Sequence, residues 1–275
     1  SSKASIVIHM AAQPLVKDSY LDPIKTYQTN VLGTVNLFEA IRAVNSVKAV
    51  VNITTDKCYK NNEWLWPYRE NDALGGHDPY SNSKACAELV TECYRSSFFD
   101  DLGIQLATAR AGNVIGGGDF SSDRLIPDFL RSIENQRTLL IRSPNAVRPW
   151  QHVLEPVCGY ITLAEQLAKG DANFSGSWNF GPDYEDAKTV AWIADNLCAN
   201  IKGATWRLDE NPQVHEAQLL NLDSSKAKQE LSWKPKWRIT EAIQATIDWH
   251  MNWVGGSNMG DFSIKQIEEY DNEKV

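Results

Sequence analysis

Tyr80-Ser81-Asn82-Ser83-Lys84 is the segment whose residue types and spacing bear most directly on chemistry. On a helix, positions four apart share a face with Cβ atoms about 5–6 Å apart, which would set the Lys84 ammonium beside the Tyr80 phenol. A cation there favours the phenolate and brings the tyrosine toward a pKa at which it can take and return a proton. Pro79, immediately before, fits a helix start. Such pairs are common on ordinary helices, so the segment needs company. Thr54-Thr55-Asp56-Lys57-Cys58-Tyr59 supplies it, with hydroxyl, carboxylate and amine arriving together where an apolar, β-branched run ends. Open α/β sheets gather their ligand chemistry at the carboxyl ends of strands. Adjacent strand residues point to opposite faces, so Asp56 and Lys57 can both meet one ligand only if the chain has already left strand geometry.

The elements that would position these groups follow from the hydrophobic pattern. Ser5 to Ala12 reads as a buried parallel strand ending in small residues, and Val47 to Thr54 as a second. Between them Val31, Val35, Phe38 and Ile41 recur at helical spacing within Asn30 to Val44. Strand, helix, strand is the parallel crossover unit, and it continues with a helix over Ser81 to Phe98 and a strand over Gln105 to Ala109. Beyond Gly112 prolines become frequent and elements shorter: a strand at Leu139–Ile141, helices at Val190–Cys198 and Glu241–Val254, and a short one near Lys265–Tyr270. The fold expected is α/β, a doubly wound parallel sheet with a smaller α+β substrate lobe. Residues 1–113 would belong to the dinucleotide-binding part and 114–275 mainly to the lobe, with about 152–180 returning to the first part.

Composition narrows the partners. With 27 Lys and Arg against 35 Asp and Glu, the formal charge is −8, which disfavours a general grip on nucleic acid or an anionic membrane. There is no run of about 18 apolar residues to span a bilayer. The five cysteines are odd in number and show no C-x-x-C spacing, and the five histidines stand apart, so neither disulfides nor a metal site is expected. The reading is a cytoplasmic protein acting on a small molecule.

Several further segments, in order along the chain, resemble the extended short-chain dehydrogenase/reductases that modify nucleotide sugars. His9-Met10-Ala11-Ala12-Gln13 resembles their fourth-strand signature, and Thr29-Asn30-Val31-Leu32-Gly33-Thr34 their T-N-V-x-G-T segment. Thr55 with Tyr80 and Lys84 matches their triad. Arg110 to Gly116 matches the stretch beside nicotinamide and sugar, Arg148 to Val153 the stretch whose arginine holds the nucleotide phosphate, and Asn179-Phe180-Gly181 a later landmark. The resemblance implies NAD as cofactor, with Ala11, Ala12, Gln13, Asn30, Thr54, Tyr80, Lys84 and Asn113 on its side. It implies a nucleotide sugar as substrate, met by Asn113, Arg124, Leu125, Arg148 and His215. Asn30 is expected to make a structural hydrogen bond between strands. A homodimer or homotetramer is implied too, consistent with the broad apolar surfaces of the helices over Val31–Val44 and Ala85–Phe98. The family's opening strand and Gly-rich pyrophosphate turn are not found before His9, and Gly116-Gly117-Gly118 falls too late to replace them. The resemblance therefore implies that roughly 75–85 residues of the family are missing ahead of Ser1.

Within this family, the sugar 4,6-dehydratases place an acid and a base next to the triad threonine, mostly Asp-Glu or a Glu; Asp56-Lys57 resembles that pair with lysine in place of the usual glutamate. Leu15 to Tyr20, Gly116 to Phe120, Asp123 to Asp128 and His215-Glu216-Ala217 resemble segments of the family members that act on CDP-glucose, which implies that substrate. UDP-N-acetylglucosamine, dehydrated by inverting enzymes that also carry Asp-Lys, is the alternative. In the implied reaction Tyr80 takes the C4 hydroxyl proton, Thr55 holds that oxygen, Asp56 protonates the departing C6 hydroxyl, and Lys57 is either the C5 base or a cation that stabilises the enolate. A plain epimerase would need no such pair. A non-catalytic remnant that binds sugar nucleotide is the reading from another class.

Overall fold

The computed structural model describes residues 3–211 and 217–273. Its first half runs β1 (Ile6–His9), α1 (Val16–Leu21), α2 (Pro23–Tyr27), a π-helical turn (Gln28–Leu32), α3 (Gly33–Arg42), β2 (Ala49–Ile53), a 3-10 turn (Asp56–Cys58), α4 (Pro79–Tyr94), a second π-helical turn (Arg95–Phe99), β3 (Gln105–Ala111) and β4 (Asn113–Ile115). The second half adds α5 (Leu125–Glu134), β5 (Leu139–Ile141), β6 (Val147–His152), α6 (Leu154–Ala168), β7 (Gly176–Phe180), β8 (Ala187–Thr189), α7 (Val190–Asn200), β9 (Trp206–Leu208), α8 (Ser225–Glu230), α9 (Ile239–Val254) and α10 (Met259–Asn272).

The main sheet is parallel, in the order β1-β2-β3-β7, with Val51 opposite Ile8 and Ala107, and Ala109 opposite Trp178. Its middle strands are buried along nearly their whole length because both faces are covered, Asn52, Thr108 and Arg110 included. On one face Val50 and Leu106 pack with Phe38, Ile41 and Phe99. On the other, Val51, Ala107 and Ala109 pack with Tyr160, Leu163 and Leu167 of α6. Each fully buried Val, Leu, Ile or Phe among them contributes about 1.5–3 kcal/mol relative to exposure, so the two layers fix the sheet and with it the strand ends that face the cleft.

A second core lies around a three-stranded sheet, β4-β6-β8, and the parallel pair β5-β9, where Phe129, Ile141, Trp150, Ile193, Leu197 and Ile243 meet. The chain passes between the sheets in one residue, Gly112, whose missing side chain is required: a Cβ there would collide with the Pro149 ring and carbonyl. The parallel sheet with helices on both faces is the expected α/β fold. Helix α4 starts two residues earlier than the periodicity suggests, because Asp78 caps it by accepting from the Ser81 amide at 2.9 Å. The last helix is longer than expected, anchored where Tyr270 donates to the buried Glu155 at 2.7 Å. No helix among the described residues is long and apolar enough to cross a membrane.

Candidate active site

Strand β2 ends at Ile53, and the chain turns at once into the 3-10 turn, capped by Thr55, whose hydroxyl accepts from the Lys57 amide at 3.4 Å. That turn resolves the geometric difficulty of two neighbouring groups: Thr55, Asp56 and Lys57 all line the same cleft, with Tyr80 opposite. The cleft encloses about 1190 Å³ and is also walled by Asn113, Arg124, Leu125 and Arg148. It exceeds the roughly 300–1,000 Å³ of an ordinary small-molecule pocket, in keeping with a large, extended ligand.

The turn and α4 are tied together by the intervening loop. The Gly75 amide donates to the Cys58 carbonyl at 2.8 Å and the Lys60 amide to the Ala73 carbonyl at 2.8 Å. Gly76 takes a φ of +112° and lies so close to the first turn of α4 that a Cβ would stand 2.5 Å from the Asn82 nitrogen. Tyr80 is thereby held as the second residue of α4, where the helix N-terminus favours negative charge.

Asp56 is 2% exposed; its Oδ1 accepts from the Thr55 hydroxyl at 3.0 Å, and its Oδ2 has no partner among the described residues. Burial raises its pKa, with Lys57 and the Thr55 bond opposing. Asp56 is thus biased toward the protonated form that an acid needs. Burial also pushes the Tyr80 phenol up to about 12, while the Thr55 hydroxyl pulls it the other way. Lys84 does not bring it below the ordinary tyrosine value as the spacing alone suggests, because the ammonium is directed instead to the Ile53 carbonyl at 3.0 Å. Burial lowers Lys84 to about 8, with Glu88 opposing.

Other expected site residues divide clearly. Thr54 points away from the cleft, its hydroxyl donating to Glu88, as strand alternation next to Thr55 requires. Asn30 does not join strands: from its π-helical turn it accepts from the Gln13 amide at 2.8 Å and donates to the Gln13 carbonyl at 3.1 Å and to Ser83 Oγ at 2.9 Å. It pins the loop of Ala11, Ala12 and Gln13 to the helix of Tyr80 and Lys84. Arg124 is engaged by Asp119 at 2.9 Å, and Arg148 is buried, donating to the Val147 and Ala217 carbonyls. His215 lies outside the described residues.

Glu88 and Arg110 were not among the expected site residues. They form an ion pair under the site, each nearly inaccessible, with Nε to Oε1 at 2.8 Å and the second guanidinium nitrogen to Oε2 at 2.7 Å. A signal was present: Tyr80, Lys84 and Glu88 recur every fourth residue on one helix face.

The donor set suits NAD. Among the described residues the Lys84 ammonium spends one of its three N–H groups, on the Ile53 carbonyl, leaving donors for ribose hydroxyls beside Tyr80. Asn113 adds an amide at the junction of the two sheets.

The profile of a family described as GDP-mannose 4,6 dehydratase matches residues 1–246. The chain is 54% identical over 275 residues to CDP-glucose 4,6-dehydratase of Salmonella typhimurium, spanning 98% of this chain and 76% of that enzyme. It is 24% identical to dTDP-glucose 4,6-dehydratase of Shigella flexneri, over 96% of this chain and 78% of that one. Among solved structures, dTDP-glucose 4,6-dehydratase of Bacillus anthracis in complex with NAD superposes with a TM-score of 0.73 at 21% identity, covering 90% of this chain and 73% of that one. UDP-glucose 4-epimerase of Thermotoga maritima with UDP-glucose gives 0.76 at 21% identity, over 92% and 79%.

Proposed function

The chain belongs to the GDP-mannose 4,6-dehydratase family and is a nucleotide-sugar 4,6-dehydratase, a hydro-lyase that uses NAD; we propose that it converts CDP-glucose to CDP-4-keto-6-deoxyglucose. The observation that carries the reading is the 3-10 turn that presents Thr55, Asp56 and Lys57 to one cleft opposite Tyr80. The 54% identity to an enzyme named for CDP-glucose supports the choice of nucleotide.

In the mechanism we favour, Tyr80 accepts the C4 hydroxyl proton while the Thr55 hydroxyl holds that oxygen. The chemistry that NAD would supply is a hydride acceptor at C4 and a hydride donor at C6, with no net change of the cofactor. Lys84 and Asn113 would hold it. A carbonyl at C4 acidifies the C5 proton. Asp56, its acid form favoured by burial, gives a proton to the C6 hydroxyl as that group departs as water. Lys57, next to it in the turn, would stabilise the developing enolate as a cation or act as the C5 base. Arg148 would pair with the substrate diphosphate, for which a forked cation is suited. Arg124 and Leu125 would line the substrate side of the cleft. We also propose a cytoplasmic location and a homodimer through the faces of α3 and α4, on which Leu89 is exposed.

The deciding experiment incubates the full-length protein with NAD and either CDP-glucose or UDP-N-acetylglucosamine and measures 4-keto-6-deoxy product. Product from CDP-glucose alone is expected. Product from UDP-N-acetylglucosamine alone would favour the second reading, for which the Asp56-Lys57 pair speaks. Product from neither, despite bound NAD, would overturn both.

A further inference from the structure

Glu88 follows Lys84 by one helical turn, close enough for an ammonium and a carboxylate to pair across a helix face. They do not pair: Lys84 donates to the Ile53 carbonyl at 3.0 Å, and both Glu88 oxygens are taken. Oε1 accepts from Arg110 Nε and the Thr54 hydroxyl, and Oε2 from the second Arg110 nitrogen and from Thr108 Oγ1 at 2.7 Å. Arg110 is itself fixed from the far side by Tyr59 Oη at 2.7 Å, the Glu70 carbonyl at 3.0 Å and Ser177 Oγ at 2.9 Å. The clamped Thr54 lies between Ile53, whose carbonyl receives Lys84, and Thr55 in the cleft.

We propose that Arg110 is a positioning residue that keeps Glu88 from capturing the Lys84 ammonium, and so leaves Lys84 directed to the Ile53 carbonyl and the cofactor side of the cleft. The proposal rests on the assignment of Lys84 to the NAD side. Among the described residues, the charged and titratable groups that face Lys84 are few. Glu88 and Tyr80 lie on its own helix, His9 at the end of β1, and Cys58 in the 3-10 turn, while Arg110 acts from β3 through Glu88. Burial keeps the Cys58 thiol protonated, and burial together with Lys84 lowers His9, so Glu88 is the one anion among these groups.

The test measures NAD affinity by calorimetry from neutral to alkaline pH in full-length variants, alongside thermal stability. With Lys84 on the NAD side, NAD affinity should fall as Lys84 loses its proton. Arg110→Met frees Glu88 and should raise the midpoint of that fall by about 1 pH unit or more, with about tenfold weaker binding at neutral pH as Lys84 is drawn aside. Glu88→Gln leaves the guanidinium unopposed and should lower the midpoint. The double variant, with neither charge, should return close to wild type. Where a single variant fails to fold, Arg110→Lys decides: it keeps the charge but covers one oxygen only, and should raise the midpoint by a smaller step. Opposite shifts in the two single variants support the proposal. Shifts of the same sign, or an unmoved midpoint in Arg110→Lys with only stability lost, would overturn it. Because the readout is NAD binding, a wild-type protein that turned over no nucleotide sugar would refute the substrate reading and leave this test standing.

Discussion

The substitution Asp56→Asn separates the site's acid chemistry from its architecture. The carbonyl of the new amide would keep the hydrogen bond from Thr55, while its nitrogen would occupy the place of Oδ2, where no partner waits among the described residues. An unpaired buried amide costs about 1–3 kcal/mol. The substitution also removes a carboxyl whose charge the folded state disfavours. Because the folded pKa is raised, the stability linked to Asp56 is complete at acid pH and is lost as pH rises through the folded value. Above that value the two effects oppose each other, and the variant should unfold within about 1 kcal/mol of wild type, having gained relative to it as pH rose to the folded value and holding level beyond. Turnover should nonetheless fall by about 10²–10⁴, equivalent to about 3–5 kcal/mol of lost transition-state stabilisation. With CDP-glucose in a single turnover, C4 oxidation should still proceed, so reduced nicotinamide should accumulate in absorbance instead of appearing transiently. Turnover within tenfold of wild type would refute the assignment of Asp56 as acid. A parallel loss of activity and melting temperature would refute the claim that its role is chemical.

Tyr80→Phe should suppress the first step, giving about 10²–10⁴-fold slower turnover and no reduced nicotinamide, with melting temperature little changed. Lys57→Glu should keep C4 oxidation and lose elimination; full retention of product formation would show that a lysine has no special part there. Gly76→Ala forces a side chain into a positive-φ position against the backbone of α4, and should destabilise by about 1–3 kcal/mol while lowering kcat through a displaced Tyr80, readable by denaturant titration and steady-state kinetics.

Much of this architecture is legible in residue patterns because the buried parallel strands are rich in Val, Ile, Leu and Ala and the helices between them carry regular stripes. Val47 to Thr54 could scarcely be anything but an interior strand. The shared helix face of Tyr80 and Lys84 was legible in local spacing, whereas the turn of the Lys84 ammonium toward the Ile53 carbonyl was not. Chemistry was also less legible where a side chain's direction depends on the chain's exit from a strand. Thr54 and Thr55 are the same residue type in adjacent positions, and only the turn at Asp56 decides that one hydroxyl serves the core and the other the cleft. The Glu88–Arg110 pair joins residues 22 apart through tertiary packing, and Asn30 bridges to Gln13 and Ser83 from a π-helical turn that no periodicity announces.

The single-residue passage at Gly112 bears on which ligands the cleft can tell apart. Wedged against Pro149, that joint leaves no slack, and Asn113 beyond it is in register with Trp150, two residues from Arg148. On the proposed assignment, the interval between Asn113 at the sugar and Arg148 at the diphosphate is therefore built into covalent and sheet geometry, like the fixed jaws of a gauge. Such a cleft measures a ligand more than it grasps one: compounds with a longer or shorter phosphate bridge should be rejected by length alone. Drift toward new sugars or bases has then to come from the loops at the rim, because the gauge itself tolerates not even a methyl group.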